Sequence, residues 1–362
     1  MTTLFTLFLI PAIAAAAAQG AETNSGYLIH DMDRAPAPAV TPGTDGGPPS
    51  DAIVLFDGGD LSEWRTEDGA APGWLVQDGY FQCVEGAGNI YTRRDFGDCQ
   101  LHIEWASPAD PAGKIDQDRG NSGVFFMDKY EVQVLDTYDN RTYSDGYAGS
   151  VYGQHPPLVN ATRPPGEWQK YDIVFRAPRF KPDGSLRRPA RMTVFHNGVL
   201  VQDNVKLTGP TSWLQQKPYE AHADALPIRL QDHDSPVRFR NIWIRPLAEP
   251  DHVKKIPMKT REAKVALTPE QLDRFVGAYE SYDEGEEKKE TPFIVIRRDG
   301  GQLYATVRDK PERRIYAQSD SEFVLEAVDG TLSFQTGPDG AISGVDFRVG
   351  RIAKFEARLP GP

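Results

Sequence analysis

From residue 53 onward, short apolar runs alternate with polar residues, and few stretches carry the three-to-four spacing of a helix. Tyr130, Val132 and Val134 point one way and Glu131 and Gln133 the other. With the apolar run at 122–126 and a polar turn at Asp128-Lys129, this predicts a β-hairpin. Leu101, Ile103 and Trp105 alternate with His102 and Glu104, and Ile228 and Leu230 with Arg229, Gln231 and His233. Tyr171, Ile173 and Phe175 share one face of another strand. Asp78-Gly79 and Asn197-Gly198 stand between alternating runs, the strongest short hairpin signal. Ten or more strands within residues 51–247 predict an all-β fold of two packed sheets, a sandwich or jelly roll.

The pattern breaks twice. Residues 21–50 are rich in Pro, Gly, Ala and Thr and read as a disordered linker. Residues 248–264 carry Pro250, Pro257 and a run of charges, and read as a boundary. Beyond it, Thr268-Pro269-Glu270-Gln271 predicts a capped short helix. Eight further runs between Gly277 and Phe355, with turns at Asp299-Gly300, Asp329-Gly330 and Asp339-Gly340, predict an up-and-down meander closing into a small β-barrel over 265–362. The charged run from Asp283 to Glu290 reads as a solvated loop.

Ahead of the first break, Leu4–Ile13 is a short apolar core followed by Ala14–Ala18, with small residues suited to cleavage after Ala18 or Gly20. Residues 1–20 therefore read as a signal peptide, although no Lys or Arg precedes the core. The stretch is short for a membrane span. The expected location is periplasmic or secreted. Cys83 and Cys99 are the two cysteines. Export permits a disulfide between them, and two buried thiols are the alternative.

Composition narrows the partners. The 362-residue chain is 39% hydrophobic and 25% charged, ordinary globular material. Its 52 acidic against 40 basic residues give −12, and no basic cluster suits phosphates. Nucleic acid is thereby disfavoured, and a neutral small substrate is compatible.

Candidate chemistry lies on the polar faces. If the strands bearing Glu104, Glu131 and Arg229 are neighbours, their faces form one hydrogen-bonding concavity of the kind that holds a sugar. Glu104 and Arg229 could instead form a cross-strand ion pair, and Glu131 and Gln133 a solvated face. Trp168 is either core or a sugar platform. The loop from Asp136 to Pro165 is long and rich in Tyr, Asp, Asn, Gly and His, and Tyr152 and His155 are candidate donors within it.

Many elements recur together in order. They run from Phe56-Asp57-Gly58 through Asp78-Gly79, Glu104-Trp105 and Asn121-Ser122-Gly123 to Tyr130–Asp136. Val151-Tyr152, Trp168, His196-Asn197-Gly198 and Arg238–Ile242 follow. This set resembles the 3-keto-disaccharide hydrolase domain over residues 51–247. The resemblance implies a concanavalin-like two-sheet jelly roll in an exported bacterial protein that acts on glycosides oxidised to a ketone at C3. The C-terminal part, with Phe275-Val276-Gly277-Ala278-Tyr279 and Phe323–Phe334, resembles the lipocalin-like module of serine β-lactamase-type hydrolases.

A 3-keto group acidifies the C2 proton, so a base can form an enolate and the C1 substituent can leave, with water added afterwards. Glu131 or Glu104 is the expected base, and His233 or Tyr152 the acid or enolate donor. Asn121, Gln133, Asp136, Trp168, Arg229 and Gln231 are expected to hold the sugar. A divalent metal bridging the ketone and a neighbouring hydroxyl would also stabilise an enolate, but no ligand spacing singles out its residues. Two other readings stay open: a two-carboxylate glycosidase using Glu104 and Glu131, and a non-catalytic carbohydrate-binding module on the same fold.

Overall fold

The structure, a computed structural model, describes residues 28–33, 35–44, 46–248, 261–280, 293–349 and 352–358. The signal-peptide stretch, the 283–290 run and most of the second break lie outside these. Two compact units divide the chain, one of residues 38–250 and one of residues 1–37 with 251–362.

The first unit is a two-sheet sandwich. Its larger sheet has eight strands, in the order Val199–Lys206, Arg191–His196, Gln169–Arg176, Cys99–Ala106, Arg238–Pro246, Tyr80–Gln82 and Leu75–Gln77, with Ile53–Phe56 also pairing on Arg238–Pro246. The smaller has five: Trp64–Arg65, Ile90–Phe96, Leu226–Leu230, Ser122–Phe126 and Tyr130–Val134. Period-two patterning sets the layers. In Gln169–Arg176 every second residue is buried, and Tyr171, Ile173 and Phe175 face the core as expected. Phe126 of the smaller sheet stacks on Phe175 of the larger with ring centroids 4.8 Å apart. Asp78-Gly79 and Asn197-Gly198 form the expected hairpin turns with positive φ at both residues.

The second unit contains a closed barrel of eight strands, from Gly277–Glu280 to Ile352–Arg358, each paired with the next and the last with the first. Phe275, Phe323 and Phe334 meet inside the unit at 4.8–5.6 Å between centroids. The helix Pro269–Asp273 has the expected capping box, the Thr268 hydroxyl accepting from Gln271 N and the Gln271 side chain accepting from Thr268 N.

Two parts of the stretch read as linker differ from that reading, because their backbone groups find partners on folded surfaces. Ile29 N donates to the Ala327 carbonyl at 2.9 Å, and Asp329 N donates to the Ile29 carbonyl at 2.7 Å. The Gly46 carbonyl accepts from Asn241 Nδ2 at 3.0 Å and from Trp243 Nε1 at 2.9 Å. Cys83 and Cys99 are buried free thiols. No helix among the described residues is long and apolar enough to cross a membrane.

Candidate active site

The Ser122–Phe126 and Tyr130–Val134 hairpin builds the floor of the site. Alternation sends Tyr130, Val132 and Val134 into the core. Glu131 and Gln133 therefore project from the opposite, outward face of the smaller sheet. They are nonetheless buried, at 4% and 1% exposure, because loops from elsewhere fold over them. Gly123 makes room for the carboxyl: a Cβ there would lie 2.4 Å from Glu131 Oε1 and 2.7 Å from Phe125 Cε2. Among the described residues nothing hydrogen bonds the Glu131 carboxyl oxygens. Burial pushes its pKa up to about 8, with the Arg229 charge pulling the other way.

Arg229 is held beside this carboxyl rather than on it. Its Nε donates to Asp128, and its guanidinium lies 3.6 Å from the Phe125 ring centroid. Gln231 extends the same strand, its N donating to the Gly123 carbonyl at 3.1 Å. Ser122 Oγ donates to the Gln231 carbonyl at 2.7 Å, tying the two strands together. The exposed His233 follows on a turn fixed by Asp232, whose carboxylate accepts from Gly88 N at 2.9 Å and Asp234 N at 3.1 Å.

An amide cluster closes the other flank. Gln133 Nε2 donates to Gln117 Oε1 at 3.2 Å and Asn121 Oδ1 at 3.3 Å. Asn121 Nδ2 donates to the Gln117 carbonyl at 2.7 Å, and Gln117 Nε2 donates to Thr142 Oγ1 and the Gly146 carbonyl. Nearby the Tyr143 and Tyr152 hydroxyls are 2.7 Å apart, and burial together with this contact raises the Tyr143 pKa.

The roof is the loop 208–217. Gly209 pinches its base, since a Cβ there would sit 1.9 Å from the Lys217 carbonyl oxygen. Thr211 N donates to the Lys129 carbonyl at 2.8 Å, and Glu131 N donates to Thr211 Oγ1 at 3.0 Å. Ser212 and Trp213 are thereby carried to the cavity edge, with Trp213 72% exposed. The open cleft has a volume of about 480 Å³, within the usual range for small-ligand pockets. Of its lining side chains Glu131 is the only carboxyl.

The sequence profile of the 3-keto-alpha-glucoside-1,2-lyase-like domain matches residues 51–245. The chain belongs to this family. A crystal structure of a "putative glycosyl hydrolase" from Parabacteroides distasonis is 49% identical, covers 59% of this chain and 93% of its own, and superposes with a TM-score of 0.57. Another from the same organism, under the same description, is 20% identical, covers 58% of this chain and 100% of its own, and has a TM-score of 0.42. No curated protein matches the chain. The family and the 49% identical neighbour support glycoside-cleaving activity.

In this lyase-like domain seven of the expected site residues line one cavity: Asn121, Glu131, Gln133, Tyr152, Arg229, Gln231 and His233. Three do not line it. Glu104 alternates as expected, but its strand belongs to the larger sheet, so the three polar faces are not neighbours. Nor does Glu104 pair with Arg229; Arg240 Nε donates to it at 2.7 Å and Asn241 Nδ2 at 3.2 Å. Burial alone would raise the Glu104 pKa, but the His102 ring 3.8 Å away and the hydrogen bonds from Arg240 and Asn241 bring it down to about 2. Asp136 is buried on Arg119, whose Nε donates at 2.7 Å. Burial raises its pKa against the Tyr138 N–H and the Arg119 charge. Trp168 lies under the guanidinium of Arg240 at 4.1 Å, in the larger sheet's surroundings.

Sequence reasoning missed Gln117, Phe125, Tyr143, Thr211, Ser212 and Trp213. Tyr143 sat inside the long loop already singled out. Trp213 stands in a non-periodic segment with no local signal. No group of three or more His, Cys, Asp and Glu among the described residues is arranged to hold a metal ion.

Proposed function

We propose that this exported chain cleaves 3-keto-glycosides by elimination and rehydration, with Glu131 as the base. The observation that carries this is a buried Glu131 carboxyl without a hydrogen-bond partner, alone among polar neutral groups, Arg229 and His233. A base held near neutral pH by burial suits removal of a carbon-bound proton. An inverting or retaining glycosidase needs two carboxyl groups flanking the bond, and the second candidate, Glu104, is on the other sheet. That placement favours the one-base route.

The steps follow from bonding. Glu131 takes the C2 proton, and the C2–H electron pair moves into the C2–C3–O enolate. Arg229 and Gln231 offer N–H donors to the developing charge. The enolate pair then forms the C1–C2 double bond as the C1–O bond breaks, and the leaving oxygen takes a proton from the Tyr143–Tyr152 hydroxyl pair. Water then adds as hydroxide at C1 and its proton restores the tyrosine pair, while Glu131 returns its proton to C2, so both groups are regenerated and the net reaction is hydrolysis. Asn121 braces Gln133 rather than touching sugar, since its own amide is engaged by Gln117 and Gln133.

The test is incubation with a 3-keto-disaccharide, following the ultraviolet absorbance of the enone and release of the leaving sugar. Glu131→Gln is expected to lose about 10²-fold or more in kcat while remaining folded. Undiminished turnover by that variant rules out Glu131 as base. Equal turnover of the unoxidised disaccharide rules out the keto requirement, and binding without turnover of either leaves a carbohydrate-binding module.

A further inference from the structure

Five directly opposed residues cross the outward face of the smaller sheet, one from each strand: Arg65, Tyr91, Arg229, Phe125 and Glu131. Phe125 thus stands between the candidate base and the arginine, and its ring serves both. The Arg229 guanidinium lies over the ring face. A Cβ at Gly123 would meet both Glu131 Oε1 and the ring's Cε2, which puts the carboxyl at the ring edge. An aromatic ring offers a negative face to a cation and a positive edge to an anion. Two strand spacings, about 9–10 Å, separate the Arg229 and Glu131 backbones, a gap that these two long side chains can close. Arginine and a carboxylate in reach of one another ordinarily form a two-bonded pair. Here they do not. Arg229 Nε donates to Asp128 instead, and among the described residues nothing hydrogen bonds the Glu131 carboxyl oxygens.

The hairpin turn places Asp128 for this contact. Met127 and Asp128 have φ of 55° and 56°, a left-handed turn that aspartate tolerates better than most residues. Lys129 N closes it on the Phe126 carbonyl at 3.0 Å. We propose that Asp128 is a positioning residue that holds Arg229 beside Glu131 without letting the two pair. This rests on the reading of Glu131 as base. Pairing would impair the reaction twice. The guanidinium would stabilise the ionised carboxyl and weaken it as a base, and it would no longer be free to donate to the developing enolate. The other groups round the carboxyl are the amides of Gln117, Asn121 and Gln133, the Thr211 and Ser212 hydroxyls, His233, and the Tyr143–Tyr152 pair. Tyr143 in turn feels Asp116 and Asp145, and Lys129, the remaining charge in the turn, acts on His222. Arg229 is therefore the one permanent cation lining the cleft, and where Asp128 holds it decides how basic Glu131 is.

The experiment follows the titration of the Glu131 carboxyl by carbon NMR on the full-length protein labelled in glutamate, the signal being assigned by its loss in Glu131→Gln. Asp128→Gly keeps a residue suited to positive φ and removes the carboxylate. It is expected to lower the titration midpoint by about one pH unit or more. The acid limb of kcat/KM for a 3-keto-disaccharide should move with it, and plateau kcat should fall about tenfold. Asp128→Asn should do the same in smaller measure, because its amide oxygen can still accept from Nε. In an Arg229→Gln background, adding Asp128→Gly should move the midpoint by less than about a third of a unit. A midpoint unmoved in both Asp128 variants overturns the proposal. So does an equal shift in the Arg229→Gln background, because Asp128 would then act on the carboxyl without the arginine. Failure of the base assignment shows separately, as turnover by Glu131→Gln, and the midpoint shift then tests the placement of Arg229 alone.

Discussion

Replacing Glu131 by Gln should change not only turnover but the way stability depends on pH. Burial holds the folded carboxyl at about 8, against 4.5 for an unperturbed glutamate. Below pH 4.5 both folded and unfolded chains are protonated there, and the residue contributes no pH dependence. Between pH 4.5 and 8 the folded protein keeps a proton that the unfolded chain has released, so stability falls as pH rises. The gap between the two pKa values corresponds to about 5 kcal/mol, and relaxation or water entry around the ionised form brings the expected loss to about 2–5 kcal/mol. Glutamine carries no proton to lose, so the variant lacks this slope. Urea denaturation at intervals from pH 5 to 9 measures it. All six tryptophans lie between Trp64 and Trp243, inside the unit of residues 38–250, so their fluorescence reports on that unit alone. In parallel, kcat/KM of the wild type should rise about tenfold per pH step of one until about pH 8 and then level. Superimposable stability profiles for wild type and variant over this range would refute the description of Glu131 as a buried, unpartnered carboxyl.

Three further outcomes are expected. Gly123→Ala puts a methyl 2.4 Å from Glu131 Oε1, so kcat should drop about 10²-fold through the displaced base, with urea denaturation showing a loss of about 1–3 kcal/mol; full activity would mean the carboxyl has room to spare. Tyr143→Phe removes the hydroxyl partner of Tyr152 and should slow a 3-keto-disaccharide about tenfold but a nitrophenyl 3-keto-glucoside much less, because the better leaving group needs less proton donation; equal slowing argues against the acid role. Glu104→Gln should leave kcat within about twofold, because the residue lies on the other sheet, while losing about 1–3 kcal/mol of stability with its charge-assisted bond from Arg240. A collapse in kcat without unfolding would restore Glu104 to the site.

Local periodicity made much of the architecture legible. Alternation at 130–134 gave the inward and outward faces correctly, and Asp-Gly and Asn-Gly pairs located two hairpins because those residues tolerate positive φ. The Thr268 cap was equally local. Sheet membership was not legible. The strand around Glu104 alternates just as the strand around Glu131 does, and only non-local pairing with Gln169–Arg176 and Arg238–Pro246 assigns it to the larger sheet. The burial of Glu131 also has no local signature, since Thr211, about eighty positions along the chain, supplies the oxygen that accepts from its N–H. Trp213 escaped for the same reason: its place depends on Gly209 meeting Lys217, a contact no periodic pattern encodes.

The Gly46 carbonyl bears on how this protein can be divided. The family signature begins at residue 51, but the sandwich reaches back past it. Gly46 accepts from both Asn241 and Trp243, and the Trp243 indole lies parallel to His102 with centroids 5.1 Å apart. A gene fragment trimmed to the signature would strip that acceptor away, stranding the Trp243 indole N–H and leaving Asn241 only its contacts with His102 and Glu104. The smallest portable piece is therefore longer than the portion by which the family is recognised, and a cut ahead of Thr41, whose carbonyl accepts from Ser50 N at 2.9 Å and whose N donates to Ser50 Oγ at 3.0 Å, keeps that flank intact.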